Sequence, residues 1–105
     1  MDKRKREKLE AAGWELGSPK EFLGLSEADA AFIEVKVALA SALRTRRLEE
    51  HLSQLEAAKR LRSSQSRMAK MEAADPSVSV DLLMRSFLRL GGTRAKMVAA
   101  LRPGR

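Results

Sequence analysis

Residues 52–72 run LSQLEAAKRLRSSQSRMAKME, and their spacing predicts two short helices joined by a tight turn. Ser53 suits an N-cap, and Glu56 three residues later completes a capping box. Leu55, Ala58 and Leu61 then fall near one face of the first helix. Arg62-Ser63 interrupts the apolar pattern, and Ser64 caps a second helix from Gln65 to Glu72. Met68 and Met71 turn that helix inward, leaving Gln65, Ser66, Arg67 and Lys70 outward. An outer face of amides, hydroxyls and cations, with no acid before Glu72, has the chemistry that reads base edges in a DNA major groove.

The flanks extend this helical reading. Ser26 caps a long helix over Glu27 to Arg47, with Asp29 at the capping-box position. Ala30, Ile33, Val37, Ala40 and Arg44 form one stripe along it, and Phe32, Val35, Leu39 and Leu43 another. So wide an apolar surface implies burial on more than one side, by neighbouring helices and a second subunit. Arg44, Arg46 and Arg47 favour the helix dipole at its C-terminal end and are expected near DNA. After Glu72, Asp75-Pro76 marks a loop. Ser79 caps a helix from Val80 to Leu90, closed by Gly91-Gly92. Thr93 caps a last helix to about Leu101, with Met97, Val98 and Leu101 apolar. No run of alternating residues suggests a hairpin, so the expected fold is all-α with five helices. The organisation read from these signals is an N-terminal extension over 1–25, a helical domain over 26–101 and a tail over 102–105.

Composition narrows the function. The chain has 105 residues, enough for one core. It has no cysteine and one histidine, His51, which excludes thiolate sites and most imidazole chemistry. Ser53, His51 and Glu56 are too close in sequence to assemble a triad, and there is no Gly-rich phosphate loop or metal-ligand cluster. No enzyme activity, metal or cofactor is expected. Nothing approaches ~18 consecutive apolar residues, and no signal-peptide pattern is visible, so a cytoplasmic protein without membrane contact is expected. The net charge of +7 is uneven: residues 1–43 carry seven Lys/Arg against eight Asp/Glu, and residues 44–105 carry fourteen against six. The basic surplus therefore lies entirely in the half that holds the paired helices, which raises the nucleic-acid reading above that of a merely solvated basic surface.

The stretch closely resembles the helix-turn-helix of phage-repressor (Xre/Cro) proteins. The matching elements are Ser53-Gln54, Glu56, the small Ala58 at the helix crossing, Ser64-Gln65-Ser66, and Met68, Met71 and Glu72. The chain departs from the pattern at Ala57, often Leu in that family, and at Arg62, often Gly in the turn. A left-handed Arg62 would cost roughly 1–2 kcal/mol, offset by a phosphate contact. Gly13-Trp14, residues 21–26, residues 64–72 and residues 78–83 further resemble a subgroup of short Xre regulators similar to HigA-type antitoxins. Members of that subgroup pair with a small RelE-like ribonuclease toxin and repress their own operon.

The resemblance implies a homodimeric repressor on a palindromic operator. The candidate DNA-binding residues are Gln54, Arg62, Ser64, Gln65, Ser66, Arg67 and Lys70. Gln65 matches the family position that reads adenine or bridges to phosphate, Ser66 and Lys70 match base-facing positions, and Gln54 matches a phosphate contact. Arg67 is read as a phosphate or edge contact. Trp14, Leu16 and Phe22 are candidate anchors for a toxin, with a core or flap role as the alternative reading of Trp14. Lys3-Arg4-Lys5-Arg6 reads equally as a phosphate-binding arm or a soluble terminus. Two alternatives stand beside the antitoxin: a stand-alone Xre-type repressor, and a protein-interaction module that binds no DNA.

Overall fold

The computed structural model describes residues 26–103. The extension over 1–25, with Trp14, Leu16, Phe22 and the basic run 3–6, lies outside them, as do residues 104–105. Five helices follow in order: α1 Glu27–Glu49, α2 Gln54–Arg60, α3 Gln65–Glu72, α4 Val80–Arg89 and α5 Arg94–Leu101. Among the described residues there is no strand, and the fold is all-α as the periodicity predicts. Two compact units divide the chain, Met1–Ile33 and Glu34–Arg105, and the second holds everything from the middle of α1 onward.

Each of these five helices starts on a hydroxyl. Ser26, Ser53, Ser64, Ser79 and Thr93 each accept a hydrogen bond from the N–H three residues on, at 3.0–3.1 Å. Each such cap satisfies one orphan donor and contributes about 1 kcal/mol. Ser53 completes the capping box, because Glu56 Oε1 accepts from its N–H at 2.8 Å. Hydrogen bonds from the Ser53 N–H and hydroxyl to the Glu56 carboxyl hold it below the usual carboxylate range.

Helices α1 to α4 share one geometry at their ends. At α4, Gly91 is left-handed with φ 94°, Gly92 N–H donates to Phe87 O at 2.9 Å, and Gly91 N–H donates to Leu88 O at 3.1 Å. This is a Schellman motif. Helices α1, α2 and α3 end with the same pair of bonds, yet their left-handed residues are His51, Arg62 and Ala74, with φ of 57°, 56° and 55°. At Gly92 a Cβ would stand 2.3 Å from the Phe87 ring, so the backbone there lies flat against the core.

The core of the second unit gathers Leu39 and Leu43 of α1, Ala57, Ala58 and Leu61 around α2, Met68 and Met71 of α3, Val78, and Leu83, Phe87 and Leu90 around α4, with Met97 of α5. One expectation is corrected by this packing. Leu55, expected on the inner face of α2, is 47% exposed, and Ala57 is fully buried in its place. The inner face of α2 is the Ala57–Ala58–Leu61 side, where two small side chains let α3 pack closely. Within the single chain α1 buries one stripe: Leu39, Ala40, Leu43 and Arg47 are inside, while Phe32, Ile33, Val35, Val37 and Leu48 are exposed. On α5, Met97 is buried and Leu101 half-buried, and Val98 is its one large apolar residue exposed outright.

Candidate nucleic-acid interface

Position on α3 follows from its two methionines. Met68 and Met71 are buried to 0% and 1% relative exposure, three residues apart, which fixes the rotation of the helix about its axis. Gln65, Ser66, Arg67 and Lys70 are consequently all exposed. Ser64 is exposed too, but its hydroxyl oxygen already accepts from Arg67 N–H at 3.1 Å, leaving its hydrogen free to donate outward. Ser64, Ser66, Arg67 and Lys70 line a groove of about 390 Å³ together with Ser77 and Val78, and no acid borders it.

Ser77 is absent from the sequence-derived site. It belongs to the loop after α3, where Asp75 Oδ1 accepts from both its N–H, at 2.8 Å, and its hydroxyl, at 2.7 Å. These bonds hold the Asp75 carboxyl below its ordinary range, with Lys70 and Lys36 adding to the effect. Lys36 Nζ donates to the Asp75 carbonyl at 2.9 Å and ties the loop to α1. The signal was present in Asp75-Pro76-Ser77, an Asx-turn sequence, but its position beside α3 depends on the fold.

The angle between α2 and α3 is held by a buried charge cluster. Arg47 donates to Glu72 twice, Nε to Oε2 at 2.5 Å and an Nη to Oε1 at 3.0 Å. Its other Nη donates to Leu52 O at 2.8 Å. Gln54 Nε2 donates to the same Glu72 Oε1 at 3.1 Å. The bidentate partner holds Arg47 above its ordinary pKa, against the opposing effect of burial. One carboxylate at the end of α3 thus anchors the last turn of α1, the first residue of α2 and the connection between them.

This cluster corrects the reading of the α1 arginines. Arg47 is 8% exposed and engaged inside the protein. Arg46 donates to Leu90 O at 2.9 Å and pairs with Glu49 and Glu50, so it joins α1 to the end of α4. Only Arg44 of the three is exposed. Gln54, singled out as a phosphate contact, is half-buried with one amide proton committed to Glu72. Arg62 is exposed on the turn and, as its left-handed φ shows, takes the position where glycine is the usual choice.

Among known families, a helix-turn-helix domain model matches residues 22–99, about three quarters of the chain. The chain belongs to the helix-turn-helix domain family. In this domain α2, the left-handed turn at Arg62 and α3 form the paired helices that give the family its name. No curated protein and no solved structure matches the chain. Among the described residues of the helix-turn-helix domain, no group of acids and histidine could hold a metal ion, and no helix is long and apolar enough to cross a membrane.

Proposed function

We propose that this helix-turn-helix domain is a sequence-specific DNA-binding transcriptional regulator acting as a repressor in the cytoplasm, without catalytic activity. The observation that carries the reading is the outer face of α3: Gln65, Ser66, Arg67 and Lys70 are all exposed beside a groove that no acid borders. Amides and cations on a short helix match the donor and acceptor pattern of base edges, and Ser64 and Arg62 stand where strand phosphates would flank them. Gln54 acts with them through its remaining donor. The test is a gel shift against the region upstream of its own gene, compared with random duplex of equal length. Equal affinity for both would leave a basic protein without sequence-specific recognition.

A homodimer on a palindromic operator follows from the same physics, because one recognition helix spans only half of a typical site. Support comes from apolar side chains that α1 and α5 keep outside, with Val37 on α1 and Val98 on α5 each 52% exposed. Between these helices runs a groove of about 490 Å³ bordered by Ala38, Ser41, Ala42 and Ala99, small enough for another helix to approach. Sedimentation at micromolar concentration decides this, and monomers both free and on DNA would remove the dimer.

The antitoxin reading is narrower and rests on the resemblance to HigA-type proteins. On that reading a basic RelE-like ribonuclease toxin docks on residues 1–25 through Trp14, Leu16 and Phe22, beside Glu7, Glu10, Glu15 and Glu21. The acidic tilt of residues 1–43 supports it. Co-expression of the neighbouring gene product with the full chain, and with a chain starting at Leu25, is the test. Unchanged copurification and protection by the shortened chain would exclude this docking mode.

A further inference from the structure

On the other side of Arg67 from the groove beside Lys70 lies a second cleft, of about 330 Å³, between the α2–α3 turn and α4. Three arginines border it: Arg62 from the turn, Arg67 from α3 and Arg89 from the last turn of α4. Leu61, Met71 and Leu82 supply its apolar part, and Ser63 and Ser86 line it as well. No acid does. Among the described residues the ion pairs engage Arg46, Arg47, Arg60, Arg85 and Lys96, and none of Arg62, Arg67 and Arg89 is paired with a carboxylate. The Ser63 hydroxyl is buried and has no hydrogen-bond partner within the protein.

Both observations are unfavourable for the protein alone. Three like charges around one cleft repel, and a buried hydroxyl without a partner loses its hydration for nothing. A single ligand removes both penalties if it is an oxyanion. Guanidinium forks match the free oxygens of phosphate, and a hydroxyl donates to one of them as well. We propose that Arg62, Arg67, Arg89 and Ser63 form a phosphate-binding site. Arg67 borders both this cleft and the groove with Ser66 and Lys70, so the two sites are continuous across α3. That continuity favours a DNA backbone phosphate as the source, a case that rests on the DNA-binding reading. A free phosphate ion is the other source of the same chemistry.

Arg89 is the residue to change, because it is exposed, lies outside α3 and makes no ion pair. Arg89→Gln should retain the wild-type fold, with a melting temperature in chloride buffer no lower than that of wild type. The full chain and this variant are titrated with inorganic phosphate at constant ionic strength by calorimetry, and with random duplex over a range of salt. If DNA supplies the phosphate, the slope of log affinity against log salt falls by about one in the variant. If the free ion is the ligand, wild type binds phosphate and the variant binds it about tenfold more weakly, as for loss of one charge-assisted bond. Either result establishes the site and names its source. A variant equal to wild type in both titrations overturns the proposal. Should wild type bind no DNA at all, the DNA reading fails, and the phosphate titration alone decides the site.

Discussion

Arg62 carries two opposed demands. Its φ of 56° ends α2 in a conformation that costs an L side chain about 1–2 kcal/mol, while its cation stands exposed beside α3. His51 and Ala74 bear the same backbone strain at the ends of α1 and α3. His51→Gly and Ala74→Gly should therefore each stabilise the protein, by about 0.5–1 kcal/mol once the looser unfolded chain is subtracted. Urea unfolding measures this, and a loss of stability at both positions would show that neighbouring contacts outweigh the strain. Arg62→Gly should stabilise likewise but weaken binding to specific and random DNA alike. Gln65→Ala should behave in the opposite way, costing about 1–3 kcal/mol on the specific site and little on random duplex. Equal losses on both DNAs would reduce Gln65 to a backbone contact.

The pairing of α2 with α3 depends on Glu72. Its carboxylate holds Arg47 and Gln54 together, and the charged side chains of Arg47 and Glu72 are both nearly buried. Removing one partner of a buried pair leaves the other charge without compensation, so Glu72→Ala should destabilise by about 3–5 kcal/mol. Replacing Arg47 and Glu72 together by methionine should recover much of that loss, which a double-mutant cycle in urea would measure; additive losses would mean the pair is not coupled. The caps add a pH dependence. Glu56 and Asp75 have folded-state pKa values lowered by their hydrogen bonds to Ser53 and Ser77. A lowered carboxyl stabilises the fold above its unfolded pKa and loses that contribution as pH falls through the folded value. Stability should therefore be level near neutrality and decline below the ordinary Glu56 value of 4.5. Glu56→Gln should flatten part of that decline in thermal melts taken from pH 6 to about pH 3.

For the molecule as a whole, charge sets the expectation. Residues 44–105 carry a surplus of eight positive charges, and Arg46 and Arg47 are occupied inside the protein. The remaining cations outnumber the acids and include Arg62, Arg67, Lys70 and Arg89. If a dimer neutralises about six phosphates, affinity should fall roughly 10³-fold between about 50 and 200 mM salt. A flat salt titration would mean that the basic surplus does not face the nucleic acid. Dimerisation should depend on the exposed apolar residues of α1 and α5, and Val37→Glu with Val98→Glu should give monomers by sedimentation while leaving Leu39, Leu43 and Met97 in the core.

The parts of this protein that were legible without a structure are those governed by local rules. Helix starts depend on one hydroxyl and the N–H three residues on, so Ser26, Ser53, Ser64, Ser79 and Thr93 could be read directly. The rotation of α3 follows from a 3.6-residue period, which is why Met68 and Met71 sufficed to turn Gln65, Ser66, Arg67 and Lys70 outward. Helix ends were legible at Gly91-Gly92 and, through the family resemblance, at Arg62. At His51 and Ala74 no residue type announces a left-handed turn, and the packing of the next helix imposes it. The α1 arginines were beyond local reading for a related reason. A helix-terminal arginine looks the same whether it faces solvent or a carboxylate 25 residues away, and the fold alone brings Glu72 to Arg47. The cleft of Arg62, Arg67 and Arg89 likewise joins residues from three elements, and no spacing along the chain encodes that approach, because it is made by the burial of Leu61, Met71 and Leu83 in one core.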